Sequence, residues 1–394
     1  MTRFVALLLV MLLGFGAVPA GAQRAVSGEP YEVQCTLSLT GPFAFVGKKG
    51  AATLHAVETV VNATGGIGGR PIKFVVNDIQ SSPVTAVQIV TALEASKHPP
   101  VIIGPEPGAA VLAMQPITKN DTVIYSLAAS VHPPAGSYTF GNETSTEDLL
   151  FAGVRYLHRR GWNRIGLLAT TDVTGNDQIE QVTAAAKTPE MAGTTVVAVE
   201  RYAISDISVA SQLSRLKAAG ADVVFVGTTG TGFGTALHGI SDMGWDVPVM
   251  TNAGNIVREQ MEQYRAFAPK QVYFTGARFM SHETGRGAVQ EAQRLFYSSM
   301  RAEGVDKPDF ITATAWDPAW VVVSALRKFG TSMTAAQLHE YIEGLHGFPG
   351  VNGMLDFRDG KQRGLGINAT LIVRWDEPRD DWVPVSEPGG IPLK

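Results

Sequence analysis

The stretch "YEVQCTLSLTGPFAFVGKKGAATLHAVETVVNA", Tyr31 to Ala63, contains the repeating unit of the fold. It begins with the apolar run Tyr31–Leu39, which predicts a strand. It ends with Lys48–Ala63, whose apolar residues recur at helical spacing and stop just before Gly65 and Gly66. A buried strand that leads directly into a covering helix predicts a parallel sheet.

The same alternation continues along the chain in two series. The further strand patterns are Ile72–Ile79, Pro100–Gly104 and Thr122–Leu127, then Arg164–Thr170, Thr194–Tyr202, Ala221–Gly227 and Val247–Thr251. Short apolar strands separated by helices are typical of parallel sheets that are buried on both faces. The two series therefore predict an α/β protein with two doubly wound lobes. Two lobes also suit the chain length, which is too great for one compact core.

The loops that follow these strands form the predicted binding edge, because doubly wound folds bind ligands outside the carboxyl ends of their strands. The loops are Thr40–Gly47, Gly104–Gly108, Ala128–Ser130, Thr171–Gly175, Thr228–Gly234 and Asn252–Asn255. Two lobes that face each other with these edges would enclose a cleft. We expect the ligand to bind in that cleft.

The first of these loops allows three interpretations: a phosphate loop, an apolar ligand site or core packing. A phosphate loop needs the pattern G-x-x-x-x-G-K-[ST]. Here five residues separate Gly41 from Gly47, and Lys49 stands where a serine or threonine should bind magnesium. The phosphate loop is therefore excluded, and the other two interpretations stay open for Phe43 and Phe45.

Motifs of cofactor sites and catalytic sites are absent from the sequence. The Gly-rich run Val226–Ile240 lacks a complete dinucleotide fingerprint, since Thr235 and Leu237 stand where the third glycine or alanine is required. There is no G-x-S-x-G elbow and no H-E-x-x-H pair. Cys35 is the only cysteine, which excludes an internal disulfide and a cysteine cluster for a metal. We predict no catalytic residues, no cofactor and no metal.

The first residues predict export. Met1–Ala22 has the basic start, apolar run and small-residue cleavage site of a secretory signal peptide. Its apolar run is shorter than the ~20 residues of a membrane span, so we expect cleavage after Ala22, the alternative being an uncleaved anchor. Removal of Arg3 lowers the formal charge from −4 to −5. An acidic surface argues against a nucleic acid partner.

One cluster of aromatic residues lies in the last third of the sequence. Trp316, Asp317 and Trp320 lie in the apolar helical run "FITATAWDPAWVVVSAL" and could be taken for an aromatic ligand box. The pattern favours packing inside a lobe instead. We expect Asp317 to cap a helix that begins at Pro318.

Four segments resemble the first lobe of periplasmic substrate-binding proteins of the leucine/isoleucine/valine class: "LSLTGPFAFVGKKGA", "VNATGGIGGRPIKFVVNDIQSSP", "VIIGPEPGAAVLAMQP" and "YSLAAS". The run from Asn62 to Ile72, and Asp78 with the downstream Pro83, are the most specific pieces. A late segment, "GVNGMLDFRDGKQRG" (Gly350–Gly364), is similar to the same family. These matches follow one another in order over nearly the whole mature chain.

The resemblance implies a type I periplasmic binding fold, in which three crossovers join two doubly wound parallel-sheet lobes and the ligand cleft lies between them. The implied crossovers are Gly141–Thr146, Val272–Phe279 and Gly350–Asp356. The implied lobes are residues 23–141 with 279–350, and residues 142–278 with 351–394.

The resemblance also implies partners. The chain would be a monomeric periplasmic receptor that delivers a small molecule to an ABC-type permease. The permease and its ATPase subunits would be separate chains, and they would be its only link to the membrane. A periplasmic sensor of the same fold is the alternative.

Family members usually hold a ligand carboxylate with the hydroxyls and backbone amides of two first-lobe loops. The resemblance carries this role to the later loop as Ala128, Ala129 and Ser130. In the earlier loop, Glu106-Pro107-Gly108, the glycine stands where the family has a serine. The free amides at a helix start can still bind an anion, or Gly108 simply begins the helix.

The second lobe departs from the amino-acid binders of the family. Those proteins pair the ligand ammonium with an acidic residue after the fourth strand of the second lobe, where this chain has Ala253. Thr174, Thr229 and the adjacent Gly230 occupy the region where the family commonly has aromatic residues. An unpaired ammonium in a closed cleft costs several kcal/mol, so an amino acid would need Glu106 as its partner.

We therefore expect an aromatic or other non-amino carboxylate as the ligand, with branched-chain or other amino acids as the alternative. Phe43, Phe45 and Val46 belong to the first-lobe loop that covers the ligand side chain in this family, one phenylalanine facing the cleft and the other packing beneath it. An aromatic ring would stack on Phe45. The groups that would complete the site are Ser130 for a carboxylate and Glu106, Asn252 or Asn255 for a hydroxyl.

Overall fold

The computed structural model describes residues 26–141, 144–282 and 287–393. The predicted signal peptide lies outside the described residues, as do two residues of the first predicted crossover. Everything that follows refers to the described ranges.

A five-stranded sheet forms the first half of the fold. Its strands are β1 (Tyr31–Leu37), β2 (Ile72–Asp78), β3 (Val101–Ile103), β4 (Val123–Ser126) and β5 (Thr139–Gly141). They lie in the order β2-β1-β3-β4-β5, and every neighbouring pair is parallel. The connecting helices are α1 (Ala44–Ala63), α2 (Pro83–Ser96) and α3 (Gly108–Thr118).

A seven-stranded sheet forms the second half. Its first strands are β6 (Arg164–Thr170), β7 (Thr195–Tyr202), β8 (Val223–Gly227), β9 (Val249–Thr251) and β10 (Val272–Ala277). The helices that precede, connect and follow them are α4 (Thr146–Arg159), α5 (Val173–Ala186), α6 (Ala210–Ala218), α7 (Thr231–Asp242) and α8 (Arg258–Tyr264). These five strands are parallel where they pair with one another.

The last part of the chain contacts both sheet units. Four helices come first: α9 (Ala288–Ala302), α10 (Phe310–Ala313), α11 (Trp316–Phe329) and α12 (Ala335–Glu343). Three of them, α9, α10 and α11, pack against α1. The remaining strands are β11 (His346–Gly350) and β12 (Gly353–Asp356), which form a hairpin, then β13 (Thr370–Asp376), β14 (Asp381–Pro384), β15 (Ser386–Glu387) and β16 (Ile391–Pro392). β13 joins the seven-stranded sheet antiparallel to β10, and β14 lies beside β13.

The predicted α/β fold with parallel sheets is confirmed, and its cause is the burial of the strands. β3, β4, β8 and β10 are buried along their whole length, as expected for strands covered by helices on both faces. Cys35 of β1 is fully buried, and burial raises the pKa of its thiol. Strand ends differ from the predicted ones by one or two residues.

Boundaries of the predicted loops are corrected where helices begin earlier than expected. The predicted first loop ran to Gly47, whereas α1 already begins at Ala44. Gly47 lies against the backbone of Ser38, at the end of β1, and a methyl group there would overlap it. Phe45 and Val46 therefore lie on the first helical turn. Thr174 likewise belongs to α5, because the Asp172 side chain accepts a hydrogen bond from the Gly175 amide and starts that helix earlier than predicted.

The predicted role of Asp317 is wrong, although Trp316 is buried as expected and packs edge-on against Phe296. Asp317 lies inside the first turn of α11 and caps no helix. Its carboxylate instead accepts the Val351 amide proton at 3.1 and 3.2 Å, next to Gly350 at the end of β11. Burial raises the pKa of Asp317 to about 7. One buried carboxyl thus fixes α11 to the β11–β12 hairpin.

Replacing Asp317 by asparagine should make stability less dependent on pH. The pKa of Asp317 in the folded chain lies above its unfolded value, so its contribution to stability is complete in acid and is lost as the pH rises towards 7. Between pH 5 and pH 8 the wild type should lose roughly 2–3 kcal/mol more than Asp317→Asn. Urea unfolding at both pH values measures this difference. Asp121→Asn, which alters an exposed carboxyl, should behave like the wild type.

Candidate functional site

A cavity lies between the carboxyl ends of the two sheets. Its volume is about 80 Å³, enough for roughly five water molecules. Residues that line it are Phe43, Val46, Glu106, Leu127, Ala128, Ala129, Ser130, Thr146, Leu149, Leu150, Thr174, Gln178, Thr229, Asn252, Ala253, Gly254, Phe310, Ile311 and Thr314. The mixture of apolar walls and a few polar groups is typical of a site for a small organic molecule.

Most of the predicted site residues line this cavity. Those that do are Phe43, Val46, Glu106, Ala128, Ala129, Ser130, Thr174, Thr229, Asn252 and Ala253. Phe45, Pro107, Gly108 and Gly230 do not contribute to its lining. They lie directly beside residues that do.

The two phenylalanines of the first loop have different positions. Phe43 lines the cavity, and its amide donates a hydrogen bond of 3.1 Å to the Ser81 hydroxyl. Phe45 lies on the first turn of α1 and points at the start of α7, where a methyl group on Gly230 would lie 3.6 Å from its ring. Phe43, and not Phe45, is therefore the ring available to a molecule in the cavity.

The loop Ala128–Ser130 is held from behind by Arg363. This buried arginine donates from Nη2 to the carbonyls of Ala128 at 3.2 Å and Ala129 at 3.0 Å, and also to that of Val131. Within the described residues, no hydrogen bond is found from the Ala129 amide, the Ser130 amide or the Ser130 hydroxyl. A positive charge that polarises these peptide groups makes their free N–H groups better donors to an anion.

Gly108 packs directly against this loop. A methyl group on Gly108 would lie 2.7 Å from Ser130 Oγ, closer than side chains approach. The two loops of the first sheet therefore share one small space, which the Ser130 hydroxyl fills. A serine at position 108 would therefore force the Ser130 hydroxyl out of this space.

Glu106 is the only ionisable side chain among the described residues that line the cavity. The Ser38 amide and hydroxyl both donate to its Oε2 at 3.2 Å. Its Oε1 is buried and has no hydrogen-bond partner among the described residues. Burial raises the pKa of Glu106 to about 7, and the negative charge of Asp78 acts in the same direction.

The wall from the second sheet is small, polar and already hydrogen-bonded within the chain. Asn252 Oδ1 accepts from the Gly254 amide and the Thr229 hydroxyl, and its amide group donates to Thr228 and Gln178. The side chain of Asn255, the other predicted partner of a ligand hydroxyl, is fully buried and bonds to Gly230, Thr228 and Thr251. These asparagines shape the wall, and Ala253 brings no charge to it.

Several lining residues were missed by the sequence analysis. They are Leu127, Thr146, Leu149, Leu150, Gln178, Gly254, Phe310, Ile311 and Thr314. The start of α4 and the start of α10 supply most of them. Local signals mark both helix starts: Ser145 accepts a hydrogen bond from the Asp148 amide at α4, and Asp309 and Thr312 form a capping box at α10. Such signals mark where a helix begins but not what lies next to it.

Contacts between polar side chains join the sheet units near the cavity. Lys49 of α1 bonds to Asp309 and lies 2.8 Å from Glu259 of α8. His132, just after the Ser130 loop, lies 2.8 Å from Asp177 of α5. These contacts hold the carboxyl edges of both sheets against each other around the cavity.

A family model described as "Periplasmic binding protein" matches residues 35–381. The chain belongs to the periplasmic binding protein family. Members of this family are solute-binding receptors. The match does not distinguish the leucine/isoleucine/valine class within the family, and no curated protein matches the chain in sequence.

Solved structures of other periplasmic binding proteins share the fold. An extracellular ligand-binding receptor from Rhodopseudomonas palustris HaA2 has a TM-score of 0.79 at 17% identity, covering 91% of this chain and 100% of its own. LivJ from Streptococcus pneumoniae, solved with isoleucine, gives 0.76 at 18% identity, covering 91% and 99%. An R. palustris ABC transporter solute-binding protein, solved with 4-hydroxybenzoate, gives 0.77 at 14% identity, covering 90% and 95%. At these identities the likeness shows the fold alone.

The described part of this periplasmic binding protein contains no helix that is long and apolar enough to cross a membrane.

Replacing Arg363 by methionine should destabilise the protein by roughly 2–4 kcal/mol, because three carbonyls would lose a charged hydrogen-bond donor in a buried place. Arg358 belongs to the same segment but is largely exposed and pairs only locally with Asp356. Arg358→Met should therefore leave stability nearly unchanged. Urea unfolding of both variants measures the contrast, and equal effects would contradict the role of Arg363.

Proposed function

We propose that this chain is a periplasmic receptor that captures a small carboxylate between two closing lobes and delivers it to an ABC-type permease. The five-stranded and seven-stranded sheets, with their helices, would be the cores of the two lobes. The permease and its ATPase would be separate chains, and export would follow from the N-terminal leader. The family match and the position of the cavity between the sheets support this proposal.

The loop Ala128–Ser130 is the observation that carries the proposal. It presents backbone amides and one hydroxyl to the cavity, and the Arg363 guanidinium lies behind it. Amides of this kind, polarised by a nearby positive charge, suit a carboxylate. The apolar walls, with Phe43 on one side and Phe310 on another, suit an aromatic or aliphatic body.

The favoured ligand class is an aromatic or other non-amino carboxylate. The wall from the second sheet places Ala253, Thr229 and Thr174 at the cavity, and none of them can neutralise an ammonium. A structural neighbour solved with 4-hydroxybenzoate makes a carboxylate of this class a reasonable first probe.

Amino acids are the second candidate, because Glu106 offers an unpartnered carboxylate oxygen to the cavity. An ammonium group at Oε1 would be paired from the first sheet instead of the second. Neighbours solved with isoleucine and with leucine give the matching probes.

A thermal-shift screen tests the ligand class. The protein is first unfolded and refolded to remove any carried-over ligand, and is then scanned with benzoate, 4-hydroxybenzoate, hydroxycinnamates, aliphatic dicarboxylates, leucine and isoleucine. A ligand at a hundredfold excess over its Kd should stabilise the protein by about 2.7 kcal/mol. We expect the aromatic carboxylates to do so. Stabilisation by leucine or isoleucine alone would establish the second candidate, and no stabilisation by any carboxylate would refute the proposal.

Gly108→Ser should weaken carboxylate binding without unfolding the protein. The new side chain would displace the Ser130 hydroxyl from the space that both loops share. Loss of one hydrogen bond to a charged ligand group predicts a drop in affinity of about tenfold or more. Gly366→Ser is the matched control, since position 366 has open space around it and an ordinary φ of −121°. Isothermal titration with the stabilising carboxylate compares the two.

A further inference from the structure

Glu106 poses a problem for the proposed ligand. A carboxylate bound at Ser130 would bring a second negative charge into a small cavity that already contains the Glu106 carboxyl group. Among the described residues, no lysine, arginine or histidine lines the cavity. Two like charges without a counter-ion in a poorly solvated space strongly disfavour each other.

The hydrogen bonds of Glu106 show where a proton could be held. Ser38 donates twice to Oε2, so that oxygen acts as an acceptor. Oε1 is buried and has no hydrogen-bond partner among the described residues, and Glu106 is one of the residues that line the cavity. A proton on Oε1 would remove the charge and would convert this oxygen into a donor that faces the ligand.

The groups around Glu106 favour its neutral form. Asp78, at the end of β2, is the charged residue whose field reaches it, and that carboxylate is held ionised by the amides of Leu39, Thr40 and Gln80. Phe43 and Val46 from the start of α1, and Phe310 and Ile311 from α10, are the apolar neighbours across the cavity. Ser38 contributes no charge, and the effect of burial on the pKa of Glu106 outweighs the two hydrogen bonds from Ser38, which favour the ionised form. A carboxyl in these surroundings takes up a proton near neutral pH.

We propose that Glu106 is the specificity-determining residue of the cavity and that it binds a proton together with the carboxylate ligand, its protonated Oε1 donating a hydrogen bond to the bound molecule. The inference rests on the proposed function. Capture of the anion is then accompanied by net uptake of up to one proton, and no covalent bond changes. An ammonium ligand would require the opposite, an ionised Glu106.

Proton linkage of binding tests the inference directly. Benzoate and 4-hydroxybenzoate are titrated calorimetrically into the refolded full-length mature protein at pH 6, 7 and 8, in two buffers of different ionisation enthalpy. The wild type should bind about tenfold more weakly at pH 8 than at pH 6, since the carboxyl must first be protonated. Proton uptake should approach one per ligand at pH 8 and fall towards zero at pH 6.

Glu106→Gln tests the titration of this one residue, because glutamine cannot titrate but keeps an acceptor for Ser38 and a neutral donor for the ligand. This variant should bind benzoate with no proton uptake and with equal affinity at pH 6 and pH 8. Glu29→Gln, an exposed change, should keep the pH dependence of the wild type. Persistent pH dependence in Glu106→Gln would assign the proton to another group and overturn the inference.

The remaining outcomes separate this inference from the function on which it rests. Tight binding of benzoate at pH 8 without proton uptake, or with proton release, would overturn the role of Glu106 and leave the receptor function intact. Binding of isoleucine with proton release at pH 6, and of neither benzoate nor 4-hydroxybenzoate at any of the three pH values, would refute both the favoured ligand class and this inference.

Discussion

Burial of parallel strands on both faces is the constraint on which the rest of this structure depends. Inside such a sheet every backbone N–H and C=O group is used in strand pairing, so no backbone group is left to bind a ligand there. Free amides appear only where the chain leaves the strands and enters the helices. The cavity lies at those points in both sheets, and its polar groups come mainly from the loops after β3, β4, β8 and β9.

The fold could be predicted from the sequence because its signals are local. Each strand is a short apolar run, and each helix shows its own periodicity, so β1, β8 and their neighbours were predicted to within one or two residues at most ends. The start of α1 was predicted too late, since it depends on contact between Gly47 and Ser38 that no periodicity reveals. The early helix start also determines where the side chains of Phe43 and Phe45 lie. Phe45 lies on the helical turn and is carried round to Gly230, while Phe43 precedes the turn and faces the cavity.

The site could be predicted only in part because α4 and the segment from Phe310 to Thr314, which lie far from the predicted loops in sequence, also line it. The loops after the strands were predicted from topology, and Ser130, Asn252 and Ala253 were found in this way. Phe310 and Arg363 were not, because their positions depend on the return of the last third of the chain to both sheets. The charge distribution of the cavity could not be predicted for the same reason, because it depends on contacts between distant segments. Glu106 could be named as a substitute acid from the sequence, but its unpartnered oxygen and the lack of any lining cation are properties of the assembled cavity.

The single cysteine has a practical consequence for anyone who handles this protein. Cys35 lies fully buried in β1, between β2 and β3, and its thiol resists ionisation there. A thiol reagent reacts with the thiolate and needs access to the sulfur, so native protein should be almost inert to alkylation. The rate of labelling would then measure how often the first sheet opens and exposes Cys35. Because Cys35 would stay unlabelled in the native protein, a fluorophore attached to a cysteine introduced at the rim would report only changes at the cleft.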